Sequence, residues 1–572
     1  MLVNIKIDGK DYSEDSSMTI LQVARKYKIR IPTLCYMFHE ETHHEHKPAS
    51  CRVCMVEVKG KRNLLPACAT QIYEGMEVTT NNERVRNARR TVVELLLSNH
   101  PNDCLCCAKN GKCELQALAA ELGIRKIRFS GEISQKNETN VVRGLVKNAS
   151  KCILCGRCVS VCKHVQGIEA ISPTMRGFKT KISDPNRCVS CGQCVQVCPT
   201  GALMQAENID LVEQALADPN KFVVVNTAPA TRVSLGDEFN YPAGTDVTKK
   251  MVASFRKLGF DRVFDTNFGA DLTIMEEATE FLHRYQTKKD LPLITSCCPG
   301  WVKYIEQFYP ELLSLPSSCK SPHEMFGAIC KSYFAKKNNI DPKNIFVVSL
   351  MPCLAKKREA AREELSNDGL VNVDVVLTVK EYAEMLKRYG IMLDSLEDSN
   401  FDSPLGESTG AADIFANTGG VIEAVARTAS KWLCGEVKDV NFTAVRGLSG
   451  VREANVEIGD NVLHLCVVSG LRGAGRVLEK VKNGEVHYDA IEIMACPGGC
   501  VNGGGQPVRR DLEQIDVIKA RQQGIYSIDK NKKVRISCDN EEIKELYEDY
   551  LICPGSHKAH ELLHTTFKDS SK

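Results

Sequence analysis

Several features that define common protein classes are missing from this chain of 572 residues. It has no apolar run that approaches the roughly 18–20 residues of a membrane helix, and its first residues lack the basic-then-apolar pattern of a secretory signal. Neither sign of charge is in excess: 74 Lys and Arg face 72 Asp and Glu, and the net charge of +2 argues against a polyanion-binding protein. We therefore expect a cytoplasmic protein, in which disulfides are rare.

Cysteine, by contrast, is abundant: the chain has 27, and in a reducing compartment metal binding is the first role to consider. The first group of cysteines has the spacing C-x15-C-x2-C-x13-C, and it follows an alternating strand at 3–7, a hairpin signal at Asp8-Gly9 and a predicted helix at 19–27. This pattern resembles the plant-type ferredoxin domain that binds a 2Fe–2S cluster, with a structural zinc site as the alternative. A histidine-rich insert at 39–46 is expected to be a solvated loop. The ligands would be Cys35, Cys51, Cys54 and Cys68.

The second group is His100-x3-Cys104-x2-Cys107-x5-Cys113, which follows a predicted helix at 92–97. One imidazole and three thiolates fit either tetrahedral zinc or a 4Fe–4S cluster with one histidine ligand, and the spacing alone does not choose between them. Its position after a 2Fe–2S module resembles the large iron–sulfur subunit of respiratory NADH dehydrogenase and also the iron-only hydrogenases. Both families hold a 4Fe–4S cluster at this place, so the resemblance favours the cluster.

The third group is an internal duplication of two C-x2-C-x2-C-x3-C runs, which resemble the bacterial two-cluster ferredoxins. In such runs the fourth cysteine ligates the other cluster. The residues up to about 209 therefore predict an electron-transfer chain of four clusters. One 4Fe–4S cube would be held by Cys152, Cys155, Cys158 and Cys198, and the other by Cys188, Cys191, Cys194 and Cys162.

From about residue 210 the pattern becomes α/β, with β-rich apolar runs between helical stretches. Three of these runs end in loops of unusual composition: TSCCPGW at 295–301, MPCLAKK at 351–357 and MACPGGCVNGGGQP at 494–507. Open α/β sheets place their sites at the carboxyl ends of their strands. The three loops, in this order, resemble the signature stretches of the iron-only (FeFe) hydrogenases, and the resemblance extends over essentially the whole chain.

This resemblance implies an H-cluster, in which a 4Fe–4S cube is joined to a two-iron centre that carries CO, cyanide and a dithiolate bridge. Cys298, Cys353, Cys496 and Cys500 would hold the cube, and Cys500 would also bridge to the two-iron centre. Lys356 matches the lysine that contacts a cyanide. The pocket would also contain Ala228, Pro229, Ala230, Met351, Met494, Phe415 and His323, of which His323 stands where the family usually has glutamine and Ala230 where some members have serine.

The same resemblance implies a route for protons. Cys297 would be the last proton donor, with Ser317 and a helix that carries Glu277, Glu280 and Arg284 as the relay from the surface. The three helical residues lie at i, i+3 and i+7 and share one face. Without the motif context, such an acidic stripe would be read as a solvated helix face.

These inferences predict a multidomain α+β and α/β protein that catalyses the reversible reaction 2H⁺ + 2e⁻ to H₂. The expected domains are a β-grasp 2Fe–2S ferredoxin-like domain (1–80), a one-His/three-Cys 4Fe–4S domain (81–125), a ferredoxin-like domain with two 4Fe–4S clusters (126–209) and a catalytic H-cluster domain with a C-terminal helical belt (210–572).

Electrons are expected from ferredoxin or flavodoxin, because the glycines at 470–475 have the wrong order for a dinucleotide fingerprint. Hydrogenase maturation factors and a monomeric state are implied by the resemblance. One rival is a redox subunit of the NADH-dehydrogenase type, which would match only residues 1 to about 210. The other is an iron–sulfur assembly or sensory relative, a class that tends to lose Cys297, Lys356 or the glycine-rich third loop.

Overall fold

The computed structural model describes residues 1–39, 42, 44–136, 138–142, 144–435, 445–448, 450–458, 461–509 and 512–571. Among these residues no helix has the length and apolarity that crossing a bilayer requires. The chain divides into two compact units. The first comprises Met1–His164, Glu169–Asn186 and Cys194–Met204, and the second comprises Val165–Ile168, Arg187–Gln193 and Gln205–Lys572.

Up to residue 205 the elements are short. The strands are β1 (Leu2–Ile7), β2 (Lys10–Asp15), β3 (Met37–His39), β4 (His44–His46), β5 (Met55–Val58), β6 (Leu65–Pro66), β7 (Met76–Thr79), β8 (Thr139–Val142), β9 (Leu145–Asn148), β10 (Pro173–Thr174), β11 (Lys181–Ile182) and β12 (Leu203–Gln205). The helices are α1 (Ile20–Lys26), α2 (Glu83–Ser98), α3 (Glu114–Glu121), α4 (Arg157–Ser160) and α5 (Gln193–Gln196), with a π-helical turn at Val161–Val165.

The N-terminal sheet has the strand order β2-β1-β7-β5-β6. Its first hairpin turns at Asp8 and Gly9, whose φ angles of 47° and 84° suit the mirror-image turn that matches the twist of paired strands. The alternating residues of β1 that face inward, such as Ile5 and Ile7, pack against Leu21 of α1 in one apolar core. The predicted strand, hairpin and helix therefore all form.

For the described residues of the histidine-rich insert, the expectation of a solvated loop was wrong; His43 lies outside the described residues. Strands β3 and β4 pair in an antiparallel hairpin. Successive side chains of a strand point to opposite sides, so the two outer histidines of β4 share one side. Both contact the first cysteine run of the duplication. His44 Nε2 lies 2.6 Å from Ser160 Oγ, and His46 Nε2 lies 2.9 Å from the carbonyl oxygen of Cys155. Glu45 between them accepts a hydrogen bond from the Tyr36 hydroxyl at 3.0 Å.

The second unit contains longer elements. Its strands are β13 (Phe222–Thr227), β14 (Arg262–Asp265), β15 (Leu293–Ile294), β16 (Ile345–Met351), β17 (Val375–Thr378), β18 (Val451–Ile458), β19 (Asn461–Ser469) and β20 (Ala490–Met494). Its helices are α6 (Ile209–Ala217), α7 (Thr248–Leu258), α8 (Thr266–Thr287), α9 (Pro299–Phe308), α10 (Pro322–Ile329), α11 (Ala335–Lys337), α12 (Ala355–Glu359), α13 (Val379–Arg388), α14 (Gly410–Asp413), α15 (Gly420–Cys434), α16 (Leu471–Lys482), α17 (Gln514–Asn531), α18 (Glu541–Leu546) and α19 (His557–Leu563), with π-helical turns at Cys330–Phe334 and Tyr547–Leu551.

Two four-stranded sheets organise this unit. One has the order β14-β13-β16-β17 with every neighbouring pair parallel. The other has the order β15-β20-β19-β18 and is parallel except for the hairpin of β18 and β19. Parallel strands buried on both faces read as continuous apolar runs, and β13, β16, β17 and β20 have this character. Because parallel neighbours end at the same edge, the loops that follow them can meet.

Candidate active site

The three signature loops meet in one pocket of the second unit. Cys298 caps the start of α9, four residues after β15 ends, whereas Cys353 and Cys496 each lie two residues beyond the end of their strands, β16 and β20. The pocket encloses about 80 Å³. Every residue that the sequence assigned to the H-cluster surroundings lies in its wall: Ala228, Pro229, Ala230, Cys297, Cys298, His323, Met351, Cys353, Lys356, Phe415, Met494, Cys496 and Cys500.

Glycines let the third loop close tightly around Cys500. Gly499 has a φ of 97°, and a Cβ there would lie 2.6 Å from the backbone nitrogen of Thr418. A Cβ on Gly503 would lie 2.2 Å from the carbonyl oxygen of Pro352. Real side chains do not tolerate such distances, so the third loop can pass the backbones at Thr418 and Pro352 only with glycine at these positions.

The chemistry of the pocket fits a metal cluster. None of the 27 cysteines, all of which lie among the described residues, forms a disulfide. Burial raises the pKa of Cys353 to about 11 and also raises the pKa values of Cys298, Cys496 and Cys500. Four thiolates therefore cannot share this space unless cationic iron compensates their charge. Convergent thiols from three loops, with glycines beside them, are the donor set that a 4Fe–4S cube takes.

A buried ion pair holds Lys356 against the pocket. Its Nζ donates to the carbonyl oxygen of Cys297 at 3.2 Å and to Glu359 Oε2 at 2.6 Å. Burial lowers the pKa of Lys356, but the Glu359 carboxylate outweighs this effect, so the net pKa is raised and the ammonium stays charged. Burial likewise works to raise the pKa of Glu359, but Lys356 and His323 lower it to about 2.

His323 shares the same carboxylate. Its Nε2 lies 2.5 Å from Glu359 Oε2 and 3.3 Å from Glu324 Oε1. Burial, reinforced by the charge of Lys356, lowers the pKa of His323 to about 4. The imidazole is therefore neutral near pH 7, and its contact with Glu359 assigns the proton to Nε2.

Three of the predicted proton-relay residues, Ser317, Glu280 and Arg284, are linked by hydrogen bonds, and Glu277 lies apart from them. Glu280 accepts from Ser317 Oγ at 2.7 Å and from Arg284 Nη2 at 2.6 Å. Glu277 is buried on the same face of α8, and its carboxyl oxygens have no hydrogen-bond partner among the described residues. Burial and the charge of Glu280 raise the pKa of Glu277 to about 8, and burial with Glu277 raises that of Cys297 well above its usual value. Both groups therefore carry protons at neutral pH.

In the first unit, the predicted ligands of two groups lie close together. Cys152, Cys155, Cys158 and Cys198 line one cavity. The four thiols of the N-terminal group are buried, and hydrogen bonds from Cys51 and Cys68 lower the pKa values of Cys35 and Cys54. In the one-histidine group, Nε2 of His100 is buried without a partner among the described residues. For the second cube, Cys162 and Cys194 belong to the first unit and Cys188 and Cys191 to the second.

The sequence did not reveal three participants. Glu359 lies three residues after Lys356 on α12, a spacing that could have signalled an ion pair. Cys191 of the ferredoxin run reaches the wall of the pocket itself. His564, which follows the last helix of the chain, contacts Ser318 next to the relay. The last two depend on contacts between distant segments, for which the spacing holds no signal.

Comparisons with known proteins agree with this geometry. Residues 221–504 match the model of the iron only hydrogenase large subunit, C-terminal domain, and residues 515–570 match the iron hydrogenase small subunit. Residues 1–83 match a 2Fe–2S iron–sulfur cluster binding domain, 89–128 the NADH-ubiquinone oxidoreductase-G iron–sulfur binding region, and 151–202 a 4Fe–4S dicluster domain.

Two curated relatives cover nearly the whole chain. The NADP-reducing hydrogenase subunit HndD of Solidesulfovibrio fructosivorans is 49% identical, and iron hydrogenase 1 of Clostridium pasteurianum is 41% identical, each alignment covering 99% of both chains. Among solved structures, an apo FeFe-hydrogenase of Chlamydomonas reinhardtii is 39% identical with a TM-score of 0.57, covering 63% of this chain and 99% of that one. The chain therefore belongs to the iron-only hydrogenase family, with a 2Fe–2S ferredoxin-like N-terminus, 4Fe–4S domains and a hydrogenase catalytic domain.

Proposed function

We propose that this protein interconverts protons and H₂ in the pocket of the second unit. The observation that carries the proposal is that four thiols, Cys297 and the buried ammonium of Lys356 line one small cavity. When bound there, an H-cluster supplies the metal centre at which two protons and two electrons combine. Its cube would be held by Cys298, Cys353, Cys496 and Cys500, and Cys500 would also bridge to the two-iron centre.

The side chains around this centre would position the cofactor and move protons. The Lys356 ammonium, held by Glu359, offers a charged donor to a cyanide. The apolar side chains of Met351, Met494 and Phe415 would keep water out of the pocket. The backbone at Ala228, Pro229 and Ala230 would contact the cofactor. The thiol of Cys297 would pass its proton into the pocket and take another from Glu277.

We propose that four accessory clusters feed electrons to this site. A 2Fe–2S cluster would lie on the first cysteine group, a 4Fe–4S cluster on His100 with its three cysteines, and two 4Fe–4S cubes on the duplicated runs. The first cube is supported by the cavity that its four cysteines line. The domain boundaries at 80, 125 and 209 follow from these groups, and the finer descriptions of the domains, such as a β-grasp N-terminus, belong to the same proposal.

Ferredoxin or flavodoxin is the proposed electron carrier, with maturation factors supplying the two-iron centre and a monomer as the working form. A second candidate rests on the relative named as a subunit of an NADP-reducing hydrogenase. In that case partner subunits would pass electrons between this chain and NADP. Two assays distinguish these carriers. If the carrier is ferredoxin, the purified chain should reduce ferredoxin with H₂. If partner subunits pass electrons to NADP, H₂-dependent reduction of NADP should need the co-purified partners and be missing with the purified chain alone.

Infrared spectroscopy of the matured protein tests the core of the proposal. We expect bands of metal-bound CO and cyanide together with H₂ evolution from a reduced dye, and neither before maturation. A protein with complete cubes and the two-iron centre, yet with no hydrogen turnover, would instead be an assembly or sensory relative. Iron analysis shows whether maturation was complete.

A further inference from the structure

The proposed proton relay ends on a residue that cannot supply protons. Arg284 donates to Glu280 Oε1 at 2.6 Å and to the carbonyl oxygens of Leu315 and Asp290 at 2.9 and 3.0 Å. A guanidinium keeps its proton at any working pH, so Arg284 can orient Glu280 but cannot protonate it. A proton must therefore reach Glu280 from another group.

The other oxygen of Glu280 faces a different set of donors. Glu280 Oε2 accepts from the Ser317 hydroxyl at 2.7 Å, from the Ser318 backbone nitrogen at 3.2 Å and from the Ser318 hydroxyl at 3.4 Å. The thiol of Cys319 also points to this oxygen, at 3.9 Å. Ser318 Oγ in turn lies 2.8 Å from Nδ1 of His564. A continuous line of hydrogen bonds thus runs from an imidazole to the relay carboxylate.

His564 is held in this place from its other side. Its Nε2 lies 3.1 Å from Glu276 Oε2, and Glu276 is buried and also accepts from the Tyr547 hydroxyl at 2.5 Å. The ring of His560 lies 4.0 Å away between centroids, and His560 is exposed. One histidine therefore touches the relay and the next reaches solvent.

The charged and titratable groups around this pair suit proton uptake. Burial and the neighbouring His564 lower the pKa of His560, and the carboxylates of Glu276 and Glu280 on α8 oppose this effect without overcoming it. His557, which lies with His560 on α19, also lowers this pKa. Imidazole is the side chain that titrates near neutrality, which neither a guanidinium nor a serine hydroxyl does.

We propose that His564, with His560 at the surface, forms a second uptake branch of the proton relay, which we name the histidine branch. A proton on His564 Nδ1 passes to Ser318 Oγ as the Ser318 hydroxyl proton passes to Glu280 Oε2. Ser318 thus gains one proton and loses one, Glu280 gains one, and the neutral His564 is protonated again by solvent water that enters beside the exposed His560. The branch rests on the proposed function and assigns a role to the histidines at 557–564.

The test compares His564→Gln with wild type in dye-linked H₂ evolution across pH. Glutamine keeps a neutral hydrogen-bonding side chain and cannot carry a proton. We expect turnover at alkaline pH to fall about tenfold, less than the ~10²–10⁴ of a sole acid–base group, because water also reaches the half-buried Glu280. The loss should shrink at acidic pH, the solvent isotope effect should rise, and added imidazole should restore the rate. His487→Gln, at a remote exposed histidine, is the matched control.

A second measurement does not depend on turnover. Exchange of the imidazole C2 hydrogen, followed by mass spectrometry, reports the titration of each histidine in the protein. If His564 is coupled to the relay, its midpoint should move to lower pH in Glu280→Gln, because a nearby negative charge is lost, while that of His487 stays. An unchanged midpoint of His564 contradicts the coupling.

The two proposals fail in different ways. A matured wild type without hydrogen turnover overturns the proposed function. An active wild type whose His564→Gln variant has the same pH profile and isotope effect overturns the histidine branch alone. If His564→Gln does not fold, Ser318→Ala removes the bridging hydroxyl from a half-buried site and should give the same alkaline loss. A Ser318→Ala variant with the wild-type profile then excludes the branch.

Discussion

The two units of this chain hold their thiols in different ways. In the first unit, Cys152, Cys155 and Cys158 lie within a single turn region, and only Cys198 is distant in sequence. In the second unit, the pocket cysteines span 298 to 500 and follow strands of two different sheets, β16 of one sheet and β15 and β20 of the other. A local spacing can therefore be recognised as a ligand set by itself. A dispersed ligand set depends on the arrangement of the whole sheets. We therefore expect the loss of one of its cysteines to affect turnover more than the loss of a ligand in a local set.

The largest expected effect comes from the dispersed set. Cys500→Ser should abolish hydrogen turnover to background, because the pocket loses the thiol assigned to both parts of the cofactor, while the paramagnetic resonance signals of the accessory clusters remain. Cys466→Ala removes a buried thiol of β19 with no assigned role and is the control. Substantial turnover in Cys500→Ser would contradict the assignment.

The next effect separates cofactor binding from proton delivery within the pocket. Cys297→Ala should keep the infrared bands of the cofactor but lose ~10²–10⁴ of the rate, the usual contribution of a general acid. The reason is that the thiol is protonated at neutral pH and lies in the wall of the pocket. Cys330→Ala, at a buried thiol of the core, is the control. Near-normal rates would exclude Cys297 from the route.

A change in the local set should have a confined effect. His100→Ala should alter the signal of one cluster only and lower H₂ evolution driven by a protein carrier several-fold. Evolution from a dye that reduces the catalytic site directly should persist, since the pocket keeps all of its residues. If the dye-linked rate falls as far as the carrier-linked rate, the local group is not independent of the pocket.

A smaller effect on stability is expected at the third loop. A Cβ on Gly504 would lie 2.7 Å from the Cα of Gly192, so Gly504→Ala must displace one of the two backbones. We expect a loss of about 1–3 kcal/mol in the free energy of unfolding, as for other overpacked sites. Gly131→Ala, which meets nothing within 4 Å, should unfold like the wild type. Equal melting temperatures in thermal denaturation would show that the loop can move away.

The smallest effect is expected for His323→Gln. Because the pKa of His323 is lowered to about 4, the folded protein holds a neutral ring, and the pH–rate profile above about pH 5 should not change. The free energy of unfolding, unlike the rate, should depend on pH. The unfolded chain takes up a proton below its pKa of about 6.5 and the folded protein does not, so wild type should lose stability relative to the variant as pH falls from 6.5 towards 4. A pH–rate shift near neutrality would contradict the neutral ring.

The sequence predicted more of the sheets and loops than of the contacts between them. The apolar runs at 222–225, 345–350 and 490–494 are strands, because a strand buried on both faces needs an unbroken apolar run. The hairpin of β18 and β19 was missed, although β18 alternates regularly between exposed and buried residues. The bounds of the three apolar strands could be predicted because they depend on the side chains of the strand itself.

Contacts between distant segments could not be predicted in the same way. His323 and Glu359 are 36 residues apart, and His564 and Glu276 are 288 apart, so no spacing rule joins them. The pocket cysteines could be grouped only through a family resemblance, whereas the two ligand sets of the duplicated C-x2-C-x2-C-x3-C runs followed from their spacing. Buried polar networks of this kind are specified by packing rather than by local pattern.

The contact between Gly192 and Gly504 has a consequence for electron transfer. The segment Arg187–Gln193, which carries Cys188 and Cys191, touches the third loop backbone to backbone. Because neither glycine has a side chain, the two main chains approach each other closely, and a Cβ at either position would have to push them apart. If Cys191 holds an accessory cluster, as we propose, a side chain at either glycine would lengthen the path of its electrons to the pocket.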